Sequence, residues 1–306
     1  MKAAFIERFG GPEVLQYGDL PDPVAGPGEA LIDILAASVN AADWKARLGD
    51  YGQGKFPLVL GRDFSGVVAA LGQGVQDFQV GDAVFGVSEA GQEGAYAEKK
   101  AVKAAIVAPK PSSMSHIDAA ALALTGLTAL SAVEETLQLR RGETILIQGG
   151  AGGVASFAIQ VAKHIGARVI TTTSAANISY VRSLGADEVI DYNAEDFTKR
   201  VSNCDAVFDT VGGDVALRSF AVLKPGGRAA FIASGPQAPK PNRSDVTSLR
   251  PPVKRARAPL ERIAHLFTTG AVRVPEIRLY RLPEAADAHR LSEGRHFRGK
   301  LVFQVR

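Results

Sequence analysis

The sequence predicts an α/β protein made of two parts, a compact antiparallel β domain and a mostly parallel, doubly wound sheet. Up to about Pro111 the chain is rich in Gly and Pro and in short β-like runs, separated by turn signals such as Val80-Gly81-Asp82. From about Ile117 it changes to an Ala/Leu-rich helix and then to strands that alternate with helices. Such alternation is typical of a parallel sheet with crossover helices.

The individual elements follow from the spacing of apolar residues. Strands of the first part are expected at residues 2–6, 30–36, 65–69, 83–85 and 104–107. In the second part, helices are expected at residues 119–130, 178–184 and 260–267, and strands at residues 188–191, 206–209 and 228–233. Residues 300–305 form a final strand that can return to the first domain.

Residues 142–192 are the most informative stretch, because they read as strand, glycine turn, helix and strand. After a strand over 144–148, Gly150-x-Gly152-x-x-Ala155 fits the G-x-G-x-x-G/A fingerprint of dinucleotide-binding folds. Glycines here allow a tight turn and a close approach of the backbone to a pyrophosphate at a helix N-terminus. The residues predicted to bind the cofactor at this turn are Gly150, Ala151, Gly152, Gly153 and Val154.

The end of the next strand favours NADPH over NADH. NAD sites usually place an acidic residue about twenty positions after the turn, where it binds the ribose 2′-hydroxyl. Here Thr173 and Ser174 fall at that place, and no carboxylate follows before Asp187. Their hydroxyls, with that of Tyr192, can donate to a 2′-phosphate. No Arg or Lys follows at once, and threonine is also an ordinary strand residue, so NADH stays an alternative.

Composition narrows the class of protein. The 306 residues suffice for two domains, and 35 basic against 32 acidic residues give a net charge of only +3. Nothing in this balance indicates nucleic acid or membrane as a partner, no apolar run is expected to be long enough to span a bilayer, and the first residues read as a strand rather than a signal peptide. The single cysteine, Cys204, fits a reducing cytoplasm.

Residues 235–259 combine six prolines with six basic residues, which predicts an extended basic loop. We interpret it as a solvated loop beside the cofactor cleft. An arm that binds a polyanion is the alternative.

Several segments together resemble the medium-chain dehydrogenase/reductase superfamily, in its zinc-independent branch of quinone oxidoreductases (zeta-crystallin-like) and NADPH-dependent enone reductases. They are residues 38–45, 57–66, 80–86, 94–98, the glycine turn, 184–187, 224–227 and 299–300. The resemblance covers essentially the whole chain. It implies a GroES-like catalytic domain from residues 1–118 and 271–306, a Rossmann NADP-binding domain from residues 119–270, and a homodimer.

Zinc is not expected. In the metal-dependent relatives a cysteine begins the motif that reads Asn40-Ala-Ala-Asp43 here, and Gly-His-Glu stands at Gly61-Arg62-Asp63. Neither ligand is present, one cysteine cannot build a four-cysteine site, and the five histidines lack metal-ligand spacing. Without a Lewis acid, the substrate must already be electrophilic enough to take hydride.

The resemblance also supplies candidate catalytic residues. Asn40 is expected to donate from its amide to the acceptor oxygen, and Tyr51 to supply a phenolic donor or proton, unless it is only a packed loop aromatic. Lys45 and Arg62 are further candidates that can equally form charged pairs, with Asp43 as partner. Asp63 is expected to support the turn into the next strand. Thr125 resembles a helix-start residue beside the nicotinamide and can equally be an N-cap, and Lys300 is placed with the cofactor.

These residues predict an NADPH-dependent oxidoreductase that passes hydride to a small-molecule quinone or enone. Two alternatives stay open. One is reduction of an enoyl thioester, with the basic loop binding its carrier. The other is a cofactor-binding module without turnover, such as a redox sensor, an RNA-binding protein or an accumulated structural protein.

Overall fold

The computed structural model describes residues 1–52, 55–89 and 91–306. It divides into two compact units. Unit 1 consists of Met1–Leu124, Arg255–Gly270 and Val274–Arg306, and unit 2 of Thr125–Lys254 and Ala271–Arg273. The resemblance implies a catalytic domain of residues 1–118 and 271–306 and an NADP-binding domain of residues 119–270, and these functional limits stay a prediction.

The strands of the described residues, in chain order, are β1 Lys2–Ile6, β2 Gln16–Asp19, β3 Glu29–Val39, β4 Leu58–Val59, β5 Asp63–Leu71, β6 Ala83–Val87, β7 Lys99–Lys103, β8 Val107–Pro109, β9 Thr144–Gln148, β10 Arg168–Thr173, β11 Glu188–Asp191, β12 Cys204–Asp209, β13 Leu223–Phe231, β14 Thr247–Leu249, β15 Ile277–Tyr280 and β16 Lys300–Gln304. The α-helices are α1 Ala41–Leu48, α2 His116–Leu130, α3 Gly153–Ile165, α4 Ile178–Ser183, α5 Phe197–Arg200, α6 Gly213–Arg218, α7 Arg257–Thr268 and α8 Ala285–Gly294.

Unit 1 is built on mainly antiparallel β-structure. The larger sheet has the order β15-β16-β3-β5-β6-β8, with β7 also paired to β3, and a small sheet has the order β2-β1-β4. The chain end returns to the long strand β3, because β16 pairs with it antiparallel and Leu301 lies opposite Val39. This pairing confirms the expected return of the last strand. It also places Lys300 beside the end of β3, where α1 begins.

Unit 2 contains a parallel sheet with the order β11-β10-β9-β12-β13-β14. All of its strand pairs are parallel, as the alternating pattern predicts. The strand order is that of a doubly wound dinucleotide-binding sheet. Successive strands are added on one side of β9 as far as β11, and from β12 onward they are added on its other side. Ligands of such sheets bind at the carboxyl ends of the strands where this reversal occurs. Here that place is the end of β9 and β12.

Three local predictions are wrong. The extended loop expected at residues 235–259 contains the strand β14, Thr247–Leu249, which pairs with β13. Residues 104–107 are not a strand, because Ala104–Ile106 forms a 3₁₀ turn and the strand β8 starts only at Val107. The carbonyl of Ala104 accepts the Val107 N–H, which closes the turn. Helix α7 begins at Arg257 rather than at 260, since a proline such as Pro259 is tolerated within the first turn of a helix.

One helical stretch of the described chain, His116–Thr136, is long and apolar enough to cross a membrane by length and composition. The expectation that no apolar run reaches that length is therefore wrong. Of the most apolar window of this stretch, 78% is buried inside the protein. Burial of that extent is the pattern of a core helix, so the stretch is weak evidence for a membrane span.

Candidate active site

The glycine turn of unit 2 lies between β9 and α3, at the reversal point of the parallel sheet. Gly149 adopts a left-handed conformation with φ +75°, and its N–H donates to Thr172 Oγ1 at 3.2 Å. The Gly150 N–H donates to the Thr172 carbonyl at 2.9 Å, and the Gly152 N–H to the Gly149 carbonyl at 3.0 Å. These bonds hold the turn against β10, and α3 starts directly after Gly152.

Gly150 is required by its neighbour rather than by its backbone angles. A Cβ there would lie 2.3 Å from Thr171 Oγ1, and that hydroxyl is fixed because it donates to the Ile147 carbonyl at 2.6 Å. At Gly152 the situation differs, since the closest atom to an added Cβ is the Gly149 carbonyl oxygen at 3.4 Å. Thus Gly150 serves the packing of the turn, whereas Gly152 leaves space over the helix N-terminus.

The first turn of α3 includes Gly153 and Val154, both partly exposed. Backbone N–H groups at a helix N-terminus lack intrahelical acceptors and attract anions. Ala151 is almost fully buried and Ala155 packs inward. The turn can therefore present backbone N–H groups to a phosphate, with no charged side chain contributed by residues 149–155.

The three residues predicted to select the 2′-phosphate lie at the ends of two neighbouring strands. Thr173 is the last residue of β10 and pairs in register with Asp191 at the end of β11, and the Tyr192 N–H donates to the Thr173 carbonyl at 3.1 Å. Ser174 follows, with Oγ accepting from Asn177 Nδ2 at 3.1 Å. Tyr192 is 51% exposed and Thr173 is buried. Ser174 and Tyr192 are thus the accessible hydroxyls of this edge.

Thr125 does not start a helix. It lies in the middle of α2, whose N-terminus is capped where the Asp118 N–H donates to Ser115 Oγ at 3.0 Å. The expectation of a helix-start or N-cap residue is therefore wrong, because the apolar run before Thr125 extends the helix back to His116.

In unit 1, the half-buried Asn40 forms a polar cluster with the buried Asp63 and Lys300. Lys300 Nζ donates to Asn40 Oδ1 at 2.7 Å and to the Val39 carbonyl at 2.9 Å, and it lies 3.7 Å from Asp63 Oδ2. Asn40 Nδ2 donates to Asp63 Oδ2 at 2.9 Å. Burial raises the pKa of Asp63 and lowers the pKa of Lys300. Both ends of the Asn40 amide are therefore oriented by charged neighbours.

Asp63 was expected to support a turn, and its contacts assign it a different role. Its carboxylate accepts from Ser38 Oγ at 2.5 Å and from the Leu124 N–H at 3.2 Å, besides the bond from Asn40. It is the first residue of β5 and is fully buried. Asp63 thus contacts side chains from the end of β3, from the residue before α1 and from the start of β16.

A second buried network of hydrogen-bonded side chains begins at Asp43. Asp43 Oδ2 accepts from the Asn40 N–H at 2.8 Å and from Tyr96 Oη at 2.9 Å, while its buried Oδ1 has no hydrogen-bond partner among the described residues. Burial, the largest influence, raises the pKa of Asp43 to about 7. Tyr96 Oη lies 3.3 Å from His289 Nε2, and His289 Nδ1 lies 3.1 Å from Arg47 Nη1.

That network ends in an ion pair between Arg47 and Glu293 at 2.6 Å. Since Arg47 can only donate, it fixes Nδ1 of His289 as the acceptor and leaves Nε2 to carry the proton toward Tyr96. Burial and the Arg47 charge lower the pKa of His289 to about 3. The sequence does not indicate this network, because its members are far apart in the sequence and none belongs to a recognisable motif.

Arg62, Tyr51 and Lys45 form the remaining part of the predicted catalytic group. Arg62 is buried and its Nη2 pairs with Glu93 at 2.9 Å, so its ion-pair partner is Glu93 and not Asp43. Its guanidinium lies 5.1 Å from the centre of the Tyr51 ring. Tyr51 is 57% exposed, and burial of part of its ring raises the pKa of its hydroxyl. Lys45 lies 5.6 Å from the centre of the Trp44 ring.

Among the residues that the structure describes, no group of three or more His, Cys, Asp or Glu side chains has the geometry to hold a metal ion. The acidic side chain at the centre of the unit 1 cluster, Asp63, lies beside the Lys300 ammonium. Cys204 is buried in β12, and burial raises the pKa of its thiol to about 12.

Comparisons with known proteins identify the class. Residues 26–112 match the model of the alcohol dehydrogenase GroES-like domain, and residues 184–303 match a zinc-binding dehydrogenase model. Together with the parallel sheet and its glycine turn, these matches place the chain in the medium-chain dehydrogenase/reductase family. The description of the second model names zinc, but it is a family description and says nothing about the residues present here.

Within that family, several relatives are named as reductases or oxidoreductases of a furanone, of alkenals or of quinones. The chain is 36% identical to 2-methylene-furan-3-one reductase of Solanum lycopersicum over 85% of this chain and 69% of that protein. It is 34% identical to the NADPH-dependent alkenal/one oxidoreductase of Arabidopsis thaliana, with 99% and 79% covered. It is 32% identical to the quinone oxidoreductase of Pseudomonas aeruginosa, with 96% of each covered.

Solved structures agree with these relatives. The quinone oxidoreductase of Coxiella burnetii superposes with a TM-score of 0.91 at 35% identity, covering 100% of this chain and 99% of that one. The Escherichia coli quinone oxidoreductase in complex with NADPH superposes with a TM-score of 0.91 at 27% identity and full coverage of both. The chain therefore belongs to the quinone oxidoreductase and enone reductase branch, and the thioester and non-catalytic alternatives are not favoured.

Proposed function

We propose that this protein is an NADPH-dependent oxidoreductase that transfers hydride to a quinone or to an α,β-unsaturated carbonyl. The observation that carries the proposal is the glycine turn at the reversal point of the parallel sheet, where Gly150 packs under Thr171 and α3 begins. The names of the relatives, which are quinone and alkenal or furanone reductases, supply the substrate class.

The turn fits a dinucleotide. The N–H groups of Gly153 and Val154 lie in the first turn of α3, and Gly152 leaves the approach free of a side chain. Ser174 and Tyr192 would contact the 2′-phosphate through their hydroxyls, and Thr173, which is buried, would position them through the backbone. Bound NADPH would supply a hydride.

The unit 1 residues would orient the acceptor and stabilise the charge that develops on its oxygen. Asn40 has one amide hydrogen bonded to Asp63, and the second of the two that an amide nitrogen carries makes only a long contact of 3.5 Å with the Ser38 carbonyl. Lys300 fixes the amide plane from the oxygen side. The exposed hydroxyl of Tyr51, beside the Arg62 guanidinium, would protonate the product. Lys45 and Thr125 stay candidates without a role drawn from their contacts.

We also propose that the reaction needs no zinc. A zinc site needs about four ligands of the cysteine, histidine or carboxylate type. At the equivalent places this chain has Asn40, an amide held by Lys300, and Arg62, a cation paired with Glu93. The positive charges of Arg62 and of Lys300, which donates to Asn40, would oppose binding of a zinc ion there.

Three further expectations are proposals as well. We expect a homodimer, a cytoplasmic location, and functional domains with the limits 1–118 with 271–306 and 119–270. Sedimentation of the purified protein and expression of residues 119–270 alone test the first and the third.

The proposed activity is tested by following absorbance at 340 nm, where reduced nicotinamide absorbs. NADPH and NADH are each combined with quinones, alkenals, cyclic enones and crotonyl thioesters, with and without a chelator. We expect oxidation of NADPH by quinones or enones, unchanged by the chelator. No turnover with any acceptor despite NADPH binding would contradict the proposal, and loss of activity on chelation would contradict the metal-free part.

A further inference from the structure

The segment that enters helix α7 is anchored on unit 1 by Arg257. The Arg257 guanidinium donates to the carbonyls of Val107 at 3.0 Å and Ala104 at 3.1 Å, and it pairs with Asp77 at 3.0 Å. It also lies 4.7 Å from the centre of the Phe78 ring. These contacts anchor the first turn of α7, which begins two residues after Arg255.

Arg255 differs from Arg257 in its partners. Its side chain is partly buried, and its Nε is fully buried without a hydrogen-bond partner among the described residues. A buried guanidinium nitrogen without an acceptor is unfavourable, because it has lost its water and gained nothing in return. Desolvation and the neighbouring charge of Arg62 lower the pKa of Arg255.

The charges of Asp63, Glu93 and Glu89 act on Arg255 in the opposite direction and favour its charged form. Each already has a basic neighbour. Glu93 accepts from Arg62 at 2.9 Å, Glu89 from Lys103 at 2.9 Å, and Asp63 lies 3.7 Å from Lys300. Each of these carboxylates is therefore already beside another cation, whereas Arg255 Nε has no acceptor among the described residues.

We propose that Arg255 binds an anionic group of the acceptor, a carboxylate or a phosphate, beside the cluster of Asp63, Asn40 and Lys300. A guanidinium presents two parallel N–H groups to such an anion, which gives orientation as well as affinity. This inference rests on the proposed function, since it names the chemical class of the acceptor. It also gives a role to the end of the basic, proline-rich segment at residues 235–259.

The test replaces Arg255 with Met, which keeps an unbranched apolar stem and removes the charged guanidinium. The matched control is Lys254→Met, which removes the same charge from the exposed neighbouring residue. Two acceptors are compared, a quinone that carries a carboxylate side chain and its methyl ester. Arg255→Met should raise the KM for the carboxylate about tenfold and leave the ester and both kcat values unchanged. Lys254→Met should change neither.

Three further measurements separate this inference from its competitors. Binding of both acceptors to each protein is measured by calorimetry without turnover, so that failure of the proposed activity is distinct from failure of the anion site. The Tm of Arg255→Met should stay equal or rise, because an unpaired desolvated charge is removed. The Kd for NADPH should not change relative to that for NADH.

Equal loss of affinity for the carboxylate and the ester would overturn the inference, and so would equal affinity of wild type and Arg255→Met for the carboxylate. A fall in Tm would assign Arg255 to folding. A weaker Kd for NADPH alone would assign the guanidinium to the 2′-phosphate of the cofactor, which likewise overturns the acceptor assignment.

Discussion

The ammonium of Lys300 donates to the side-chain oxygen of Asn40 over 2.7 Å, although 260 residues separate them in the chain. The same ammonium lies 3.7 Å from Asp63, to which Asn40 donates from its nitrogen. Lys300 and Asp63 therefore hold the two ends of one amide. This arrangement explains how the last strand of the chain can determine the orientation of a residue at the start of α1.

Lys300→Met should destabilise the protein and impair turnover. Removing one member of a buried ion pair leaves the other charge unpaired, at a cost of about 3–5 kcal/mol. The double variant Lys300→Met/Asp63→Asn should recover most of this loss, because no charge is then left buried. Chemical denaturation gives both values. If the double variant is no more stable than Lys300→Met, the two side chains are not energetically coupled.

Gly150 and Gly152 should respond differently to alanine. Gly150→Ala places a Cβ 2.3 Å from Thr171 Oγ1, so we expect about 1–3 kcal/mol of destabilisation from overpacking. Thr171→Ala in the same chain should relieve part of it. Gly152→Ala has an ordinary φ of −74° and a nearest contact at 3.4 Å, so its Tm should change little while its Kd for NADPH rises. An unaltered Kd would mean that the dinucleotide does not approach Gly152.

The free energy of unfolding should depend on pH through two opposing groups. Asp43 has its pKa raised to about 7, so the folded state holds a proton that the unfolded state releases, and stability falls as pH rises from about 4 to 7. His289 has its pKa lowered to about 3. The unfolded state then binds the extra proton, and stability is lost as pH falls from about 6.5 to 3.

These two slopes, each about 1.4 kcal/mol per pH unit at most, should largely cancel between pH 4 and 6.5. Asp43→Asn removes the falling slope, so the variant should gain stability more steeply than the wild type as pH rises through that range. Urea denaturation at intervals of half a pH unit measures the difference. Parallel curves for the two proteins would show that Asp43 is ionised in the folded state throughout.

Ser174→Asp should weaken NADPH binding and leave NADH binding nearly unchanged. A carboxylate at the end of β10 repels a 2′-phosphate, whereas it can accept from a 2′-hydroxyl. The control Ser174→Asn has a similar size without the charge. Fluorescence titration with both cofactors measures the ratio of the two Kd values. An unchanged ratio in Ser174→Asp would place the phosphate elsewhere.

Local patterns predicted the elements that hold the candidate cofactor site. Spacing predicts the strand at 144–148, the glycine turn and the strand that follows the helix, and these are found as β9, the turn before α3, and β10. The signal is strong there because strand, turn and helix follow one another within a short stretch, and each needs its own residue types.

The unit 1 cluster was predicted only in part. Asn40 and Lys300 were assigned by resemblance, but their direct bond and the central position of Asp63 depend on how β16 pairs with β3. The pair of Arg47 and His289 likewise joins α1 to α8 across 242 residues. Contacts between distant segments leave no periodic signal in the sequence, which is also why the sequence suggests Asp43 and not Glu93 as the partner of Arg62. The expectation for Thr125 fails for a local reason, since α2 begins at His116.

The central claim is that hydride passes from NADPH to the electron-poor carbon of a conjugated acceptor. The most direct measurement uses two samples of NADPH, each carrying deuterium at one of the two C4 positions. A cyclic enone is the acceptor, and the product is examined by NMR. We predict deuterium at the β-carbon from one of the two labelled cofactors only, and hydrogen from solvent at the α-carbon. Product that forms without deuterium at the β-carbon, or an enone that is not reduced although NADPH binds, would contradict the account.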